Sequence, residues 1–118
     1  MPETLSFQNL VTELRRGSLT MAVLGCLSKP HYGYALLQIL QDAGVGMEAN
    51  TLYPLLRRLE GQGFLTSDWD TNESRPRKYY TISDTGRQAL SLLQSEWKNM
   101  QRSMAQIYEE VERNEQHD

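Results

Sequence analysis

Apolar positions along this chain follow first one period and then another. From Leu5 to Leu27 they recur at helical spacing, through Leu10, Leu14, Leu19, Met21, Ala22, Val23, Cys26 and Leu27. That spacing predicts a first helix, with Gly17 as a weak point in it. Lys29-Pro30 stops it, because proline cannot continue the hydrogen-bond ladder. The stretch HYGYALLQILQDAG predicts a second helix, with Leu36, Leu37, Ile39 and Leu40 inward and Gly44 as its stop. After the short turn VGME, the segment NTLYPLLRRLE sets Leu52, Leu55, Leu56 and Leu59 on one face and ends at GQG. Pro54 fits a helix that starts near Asn50, where early amide hydrogens have few partners to lose. Three helices joined by short turns describe a helix-turn-helix core.

The period then drops to two. In FLTSDWD, Leu65, Ser67 and Trp69 alternate with other residues, and in RKYYTIS so do Lys78, Tyr80 and Ile82. The polar, proline-bearing TNESRP between them suits a hairpin tip. A hairpin directly after a helix-turn-helix is the wing of a winged helix. Past it, Ser83 and Asp84 offer an N-cap and a first-turn acid. Leu90, Leu93, Trp97, Met100, Met104, Ile107 and Val111 follow at alternating steps of three and four, which is a heptad seam. A helix from Asp84 to Val111 extends about 42 Å at 1.5 Å per residue. It outreaches a small domain, so its far half needs a partner. A second copy is the simplest partner, and folding back on its own domain is the alternative.

The expected architecture is therefore mainly α with a small β-hairpin. A winged helix-turn-helix spans residues 1–83, with its N-terminal helix also joining the dimer interface. A C-terminal dimerisation helix with a frayed polar tail spans residues 84–118.

Composition changes this picture little. The 118 residues contain 39% hydrophobic and 23% charged side chains, as expected of a small globular protein. No apolar run reaches membrane-spanning length, and the N-terminus lacks the basic start and cleavage site of a secretory signal. The single cysteine, Cys26, lies in an apolar run and reads as a small buried hydrophobe rather than a reactive thiol. A cytoplasmic location is expected. The net charge of −3 argues against nucleic acid until its distribution is considered. Residues 15–78 hold eight Lys/Arg against six Asp/Glu, and the acidic excess lies outside them. A phosphate-binding protein needs a local basic surface, not a basic total.

Enzymatic chemistry finds no footing. His31 and His117 lie far apart, no Gly-rich phosphate loop follows a strand, and no metal cluster or cofactor site is suggested. His31 is expected to cap or flank the second helix. Nucleic acid is different. Asn50, Thr51 and Tyr53 begin the third helix, where polar donors and a flat aromatic suit base edges in a major groove. Arg57 is placed to meet a phosphate, and Arg58 divides evenly between that role and a solvated face. Arg75, Arg77 and Lys78 put three cations at or beside the hairpin tip, where they can follow a backbone or probe a minor groove.

Taken together, LLQILQDAG, NTLYPLLRRLEGQGFLTSDWD and SRPRKYYTISDTGRQAL resemble the PadR family of bacterial transcriptional regulators, in its smaller subfamily with a single C-terminal helix. The resemblance implies a homodimeric winged-helix repressor of a double-stranded DNA operator, with residues 50–60 as the reading helix. It also implies that Tyr34 sits near the DNA backbone. The dimer interface is then expected at Leu93, Trp97, Met100, Met104, Ile107 and Val111. In some small members a tryptophan at the matching place faces its symmetry mate across a pore, and flat apolar compounds stack between the pair. By that likeness Trp97, with Met21, Leu24, Met100 and Met104, lines a site for a planar apolar effector; the plainer alternative is that Trp97 only fills the interface. The alternative to the whole reading is a winged-helix module that holds a protein rather than DNA.

Overall fold

A computed structural model of the chain describes the backbone of residues 2–72 and 74–117, and the side chains of 7–72 and 74–116. Leu5 and Glu73 were part of the sequence reading, and their side chains lie outside the described residues. The described residues form α1 (Pro2–Arg16), α2 (Leu19–Cys26), β1 (His31–Tyr32), α3 (Gly33–Asp42), α4 (Ala49–Gly61), β2 (Leu65–Asp70), β3 (Arg77–Ile82) and α5 (Asp84–His117). This is a winged helix-turn-helix with a long C-terminal helix.

The expected first helix is two helices. The chain breaks at Gly17-Ser18, where the Ser18 amide and hydroxyl both donate to the Arg15 carbonyl, at 2.9 and 2.7 Å. The break separates two environments. Val23, Leu24 and Leu27 are buried, whereas Leu10, Val11 and Leu14 on α1 are exposed. Ile39, expected inward, lies on the outer side of α3, whose phase buries Leu36 and Leu40 instead.

α3 and α4 end alike. Gly44 and Gly63 each have φ +87°, the left-handed conformation that a residue without Cβ adopts at least cost. The amides of Val45 and Phe64 then reach back to the carbonyls of Leu40 and Leu59, at 2.8 and 2.9 Å, which is the Schellman closure. Pro54 is the sixth residue of α4, further in than the sequence reading placed it. It cannot donate to the Asn50 carbonyl, so the helix gives up one ladder bond. The burial of Leu52, Leu55, Leu56 and Leu59 on one face holds the helix in place regardless.

The wing has a third strand. β1 pairs antiparallel with β3, His31 opposite Tyr80 and Tyr32 opposite Tyr79, giving the order β1-β3-β2. His31 thus flanks α3 as a strand residue. β2 and β3 run in register from Leu65–Ile82 to Asp70–Arg77. Leu65, Tyr80 and Ile82 face the core formed with α2, α3 and α4. The Ile82 amide donates to the Leu27 carbonyl at 2.8 Å, tying the sheet to the end of α2.

The Ser83 hydroxyl caps α5 by accepting the Gly86 amide at 2.9 Å, and it donates to the Gly63 carbonyl at 2.7 Å. At Gly86 a Cβ would lie 2.1 Å from the Phe64 carbonyl oxygen, so only glycine lets α5 leave the sheet so closely. Ala89, Leu90 and Leu93 pack on the core, and beyond them α5 projects away. Its 34 residues extend roughly 50 Å. The radius of gyration, 18.4 Å, accordingly exceeds the roughly 13 Å of a compact chain this long. The tail expected to fray is helical through His117, with an Arg113–Glu109 ion pair at 3.2 Å one turn apart.

Candidate nucleic-acid interface

With its four leucines inward, α4 leaves Asn50, Thr51, Arg57 and Arg58 exposed. Tyr53 is half-buried, because its ring lies on the backbone of Gly33 at the start of α3. A Cβ at Gly33 would fall 2.5 Å from Tyr53 Cε1. The contact sets how α4 sits against α3, so Tyr53 packs with one side of its ring and presents the remainder outward. Tyr34, one residue along α3, is 74% exposed.

The wing is braced to the C-terminal end of α4. Glu60 accepts a hydrogen bond from the Ser67 hydroxyl and pairs with the Lys78 ammonium at 3.2 Å. The Ser67 hydrogen bond, then the Lys78 contact, hold the Glu60 carboxyl below its ordinary pKa against partial desolvation. Desolvation alone would lower the Lys78 pKa, but the Glu60 hydrogen bond, then the Tyr80 phenol, outweigh it and the net direction is upward. The same ammonium stands 5.1 Å from the Tyr80 ring centroid. Lys78 is therefore a half-buried strut between the wing and α4, not a loose cation at the tip.

A second brace lies on the opposite face of the sheet. The Tyr32 hydroxyl donates to Asp70 Oδ2 at 2.7 Å, and the Asn72 amide donates to Asp70 Oδ1 at 3.1 Å. These two bonds, more than the Arg77 charge, keep the Asp70 carboxyl below its ordinary pKa. The Arg77 guanidinium lies 5.3 Å from the Tyr32 ring centroid, and Tyr79 meets that ring edge-on at 6.0 Å. Arg75 is exposed in the loop between β2 and β3.

These elements converge on a groove of about 620 Å³, lined by Tyr32, Gly33, Tyr34, Ala35, Tyr53, Arg77 and Lys78. Tyr34, Tyr53, Arg77 and Lys78 were expected at the site and meet here. Thr51 instead lines a neighbouring groove with Arg15, Arg16 and Glu48, on the side of α4 toward α1. Asn50, Arg57 and Arg75 are exposed and line neither. Sequence reasoning missed Tyr32 and Glu60. The one signal for Tyr32 was its place two residues before Tyr34 in HYGY.

The expected effector residues divide. Met21, Trp97 and Met100 line a groove of about 440 Å³ with Leu14, Leu93, Glu13 and Glu96, between the α1–α2 break and α5. Leu24 does not reach it. It is 1% exposed in the domain core, because its position on α2 turns it toward α3 and α4. Trp97, Met100, Met104, Ile107 and Val111 form an open stripe, each about half exposed. Cys26 is partly buried against the core, and desolvation raises its thiol pKa. Among the described residues no helix is long and apolar enough to cross a membrane, and no cluster of His, Cys, Asp and Glu is arranged to hold a metal ion.

The sequence model of the transcriptional regulator PadR-like family matches residues 23–92, the stretch from α2 into the first turns of α5. A crystal structure of a PadR family transcriptional regulator from Eggerthella lenta superposes with a TM-score of 0.86 at 46% identity, covering 91% of this chain and 96% of that one. A PadR-like transcription factor from Bacteroides fragilis gives a TM-score of 0.71 at 32% identity, over 84% of this chain and 98% of that one. The transcriptional regulator Rv3488 of Mycobacterium tuberculosis is 38% identical over 60 residues, which is 51% of this chain and 56% of that protein.

Proposed function

Because the chain belongs to the transcriptional regulator PadR-like family, a family of regulators and not of enzymes, we propose that it acts as a homodimeric repressor of an inverted-repeat DNA operator. The observation that carries this reading is the groove where the α3 start, Tyr53 of the reading helix and the wing cations Arg77 and Lys78 meet. Tyrosine hydroxyls and cations around one concavity suit a phosphate backbone. α4 lies beside it with Asn50, Thr51 and Arg57 exposed toward a major groove, and Arg75 on the wing is placed to follow the adjoining backbone. Residues 1–83 act as the DNA-binding part. Residues 84–118 act as the dimerisation part, joined by α1.

The half-exposed stripe from Trp97 to Val111, with Leu93 at its inner end, supports pairing with a second copy. The groove at Trp97, Met21 and Met100 supports a planar apolar effector that relieves repression; its apolar lining with adaptable methionines fits such a compound.

Selecting bound sequences from random duplex DNA tests the main reading. An inverted repeat with half-sites about 34 Å apart is expected, bound with an affinity that falls steeply with salt. A promoter carrying that site should be silenced by the protein in a reporter assay. No mobility shift of any duplex at low salt overturns the reading, and capture of a protein in place of DNA would follow from the module alternative. For the effector, planar aromatic compounds should quench Trp97 in a Trp69→Phe protein; absence of quenching there removes that site.

A further inference from the structure

Thr51 and Tyr53 both stand near the start of α4, yet they open into different grooves. Two residues span about 200° of a helix, so the two grooves lie on opposite flanks of α4. Asn50 and Arg57 fall between them on the outward side, away from the buried leucines. Arg58, seven residues after Thr51, returns to within about 20° of it and shares its flank. The wing and the start of α3 border the Tyr53 flank. The end of α1 borders the Thr51 flank, where Arg15 and Arg16 line a groove of about 320 Å³ with Gly46, Glu48 and Thr51.

Arg15 and Arg16 close the last turn of α1, where cations complement a helix dipole. The dipole does not account for the direction of Arg15. A Cβ at Gly46 would lie 3.6 Å from Arg15 Nη1, so the guanidinium reaches across to the turn that leads into α4. Arg15, Arg16 and Arg58 are exposed, and none has a side-chain hydrogen bond or ion pair with another described residue. Glu48 lines the groove without pairing with either arginine. These cations also stand apart from the apolar stripe of α1. Phe7, Leu10, Val11 and Leu14 share one face, and Arg15 lies roughly a quarter turn and Arg16 nearly half a turn from its centre. Covering that stripe does not require burying Arg16.

A helix lying in a major groove has a phosphate backbone along each flank. In the proposed complex the wing serves one of them. We propose that Arg15 and Arg16 of α1, with Arg58 of α4, bind the second backbone, so that α4 is held between cations on both flanks. The inference deepens the DNA-binding reading and rests on it. Glu48 then stands beside the second backbone as an opposing charge.

The test uses a duplex selected by the wild-type protein, with salt titration and phosphate ethylation interference as readouts. In the wild type, ethylation of either backbone beside α4 should block binding. Arg15→Ala/Arg16→Ala should weaken binding at least about tenfold and flatten the slope of log affinity against log salt by about two units. Interference should vanish on one backbone and persist on the other. Arg58→Ala should remove part of the same interference and about one unit of slope. Glu48→Gln should tighten binding about twofold to threefold, and its side chain makes no cap hydrogen bond that the change would remove. Thermal melting and sedimentation establish that folded proteins of unchanged stoichiometry are being compared. If the α1 variant unfolds or dissociates, Arg58→Ala and Glu48→Gln decide the question, and wild-type values in both overturn the assignment. In a folded α1 variant, interference retained on both backbones, or lost affinity with an unchanged salt slope, overturns it too and makes these arginines packing residues. Failure of the wild-type protein to bind any duplex overturns the DNA-binding reading, and this assignment with it.

Discussion

The two ends of this molecule solve the burial of apolar surface in opposite ways. Between α2 and β3 the chain closes a core from its own residues, with Leu24, Leu36, Leu52 and Leu56 at 1% exposure or less. Along the outer half of α5 the apolar residues are just as regularly spaced and stay about half exposed, Trp97 at 45% and Ile107 at 52%. α1 belongs with this second class, its Leu10, Val11 and Leu14 open as well. Regular apolar spacing therefore says that a face will be covered, but not by which molecule. The inner region has neighbouring elements within reach in its own chain. The outer one points away from them, and the second copy proposed as its partner carries a matching stripe.

Substitutions should act on different observables in the two regions. Leu56→Ala opens a cavity in the closed core and should lower unfolding stability by about 2–5 kcal/mol, read by denaturant unfolding. Folded molecules of this variant should still pair. Gly86→Ala acts at the joint between the regions, where the added methyl meets the Phe64 carbonyl and Ile82. It should cost about 1–3 kcal/mol through overpacking, and thermal melting should show it. Ile107→Glu should reverse the pattern, with near-native secondary structure by circular dichroism and weakened self-association by sedimentation. Its dimer dissociation constant should rise at least about tenfold, as one unpaired carboxylate enters an apolar seam. A monomer that unfolds as readily after Ile107→Glu as after Leu56→Ala would erase the distinction between the regions.

Much of the closed region could be read from periodicity. The four leucines of α4 lie inside, β2 alternates as its residues suggest only as far as Asp68 because Trp69 is exposed, and Ser83 caps α5. What escaped the reading depends on contacts remote in sequence. β1 is two residues long, too short to show any period, and exists because His31 and Tyr32 meet Tyr80 and Tyr79. The roles of Tyr32 and Glu60 come from partners 38 and 18 residues away. Leu24 was expected at the effector groove together with Met21; the two lie only about 60° apart around α2, but Leu24 falls on the side closed by the core and Met21 on its open edge. Tyr53 is intermediate: its place at the start of α4 was readable, its packing on Gly33 was not. The helical tail lacks an apolar stripe, and its continuity comes from propensity and the Glu109–Arg113 pair.

The smallest expected effect concerns the strut between the wing and α4. Glu60 has a folded pKa below its unfolded one, first through the Ser67 hydrogen bond and then through Lys78. A carboxylate of this kind stabilises the fold above its unfolded pKa, and the contribution is lost as pH falls through the depressed folded value. Lys78, shifted upward, contributes at neutral pH and loses its share only at strongly alkaline pH. Acidification below the ordinary glutamate range should therefore release the wing from α4, while neutral to mildly alkaline conditions leave the strut intact. Amide hydrogen exchange can follow this locally, comparing β2 and β3 amides with those of α5. In the wild-type protein the strand amides should lose protection first as pH falls, once intrinsic exchange is corrected for. In Glu60→Gln the carboxylate is gone and that acid-dependent step should disappear, with a global stability change within about 1 kcal/mol because the pair is partly solvent-exposed. If Glu60→Gln keeps the acid-dependent step, the strut is not what holds the wing, and attention moves to the Tyr32–Asp70 brace on the other face of the sheet.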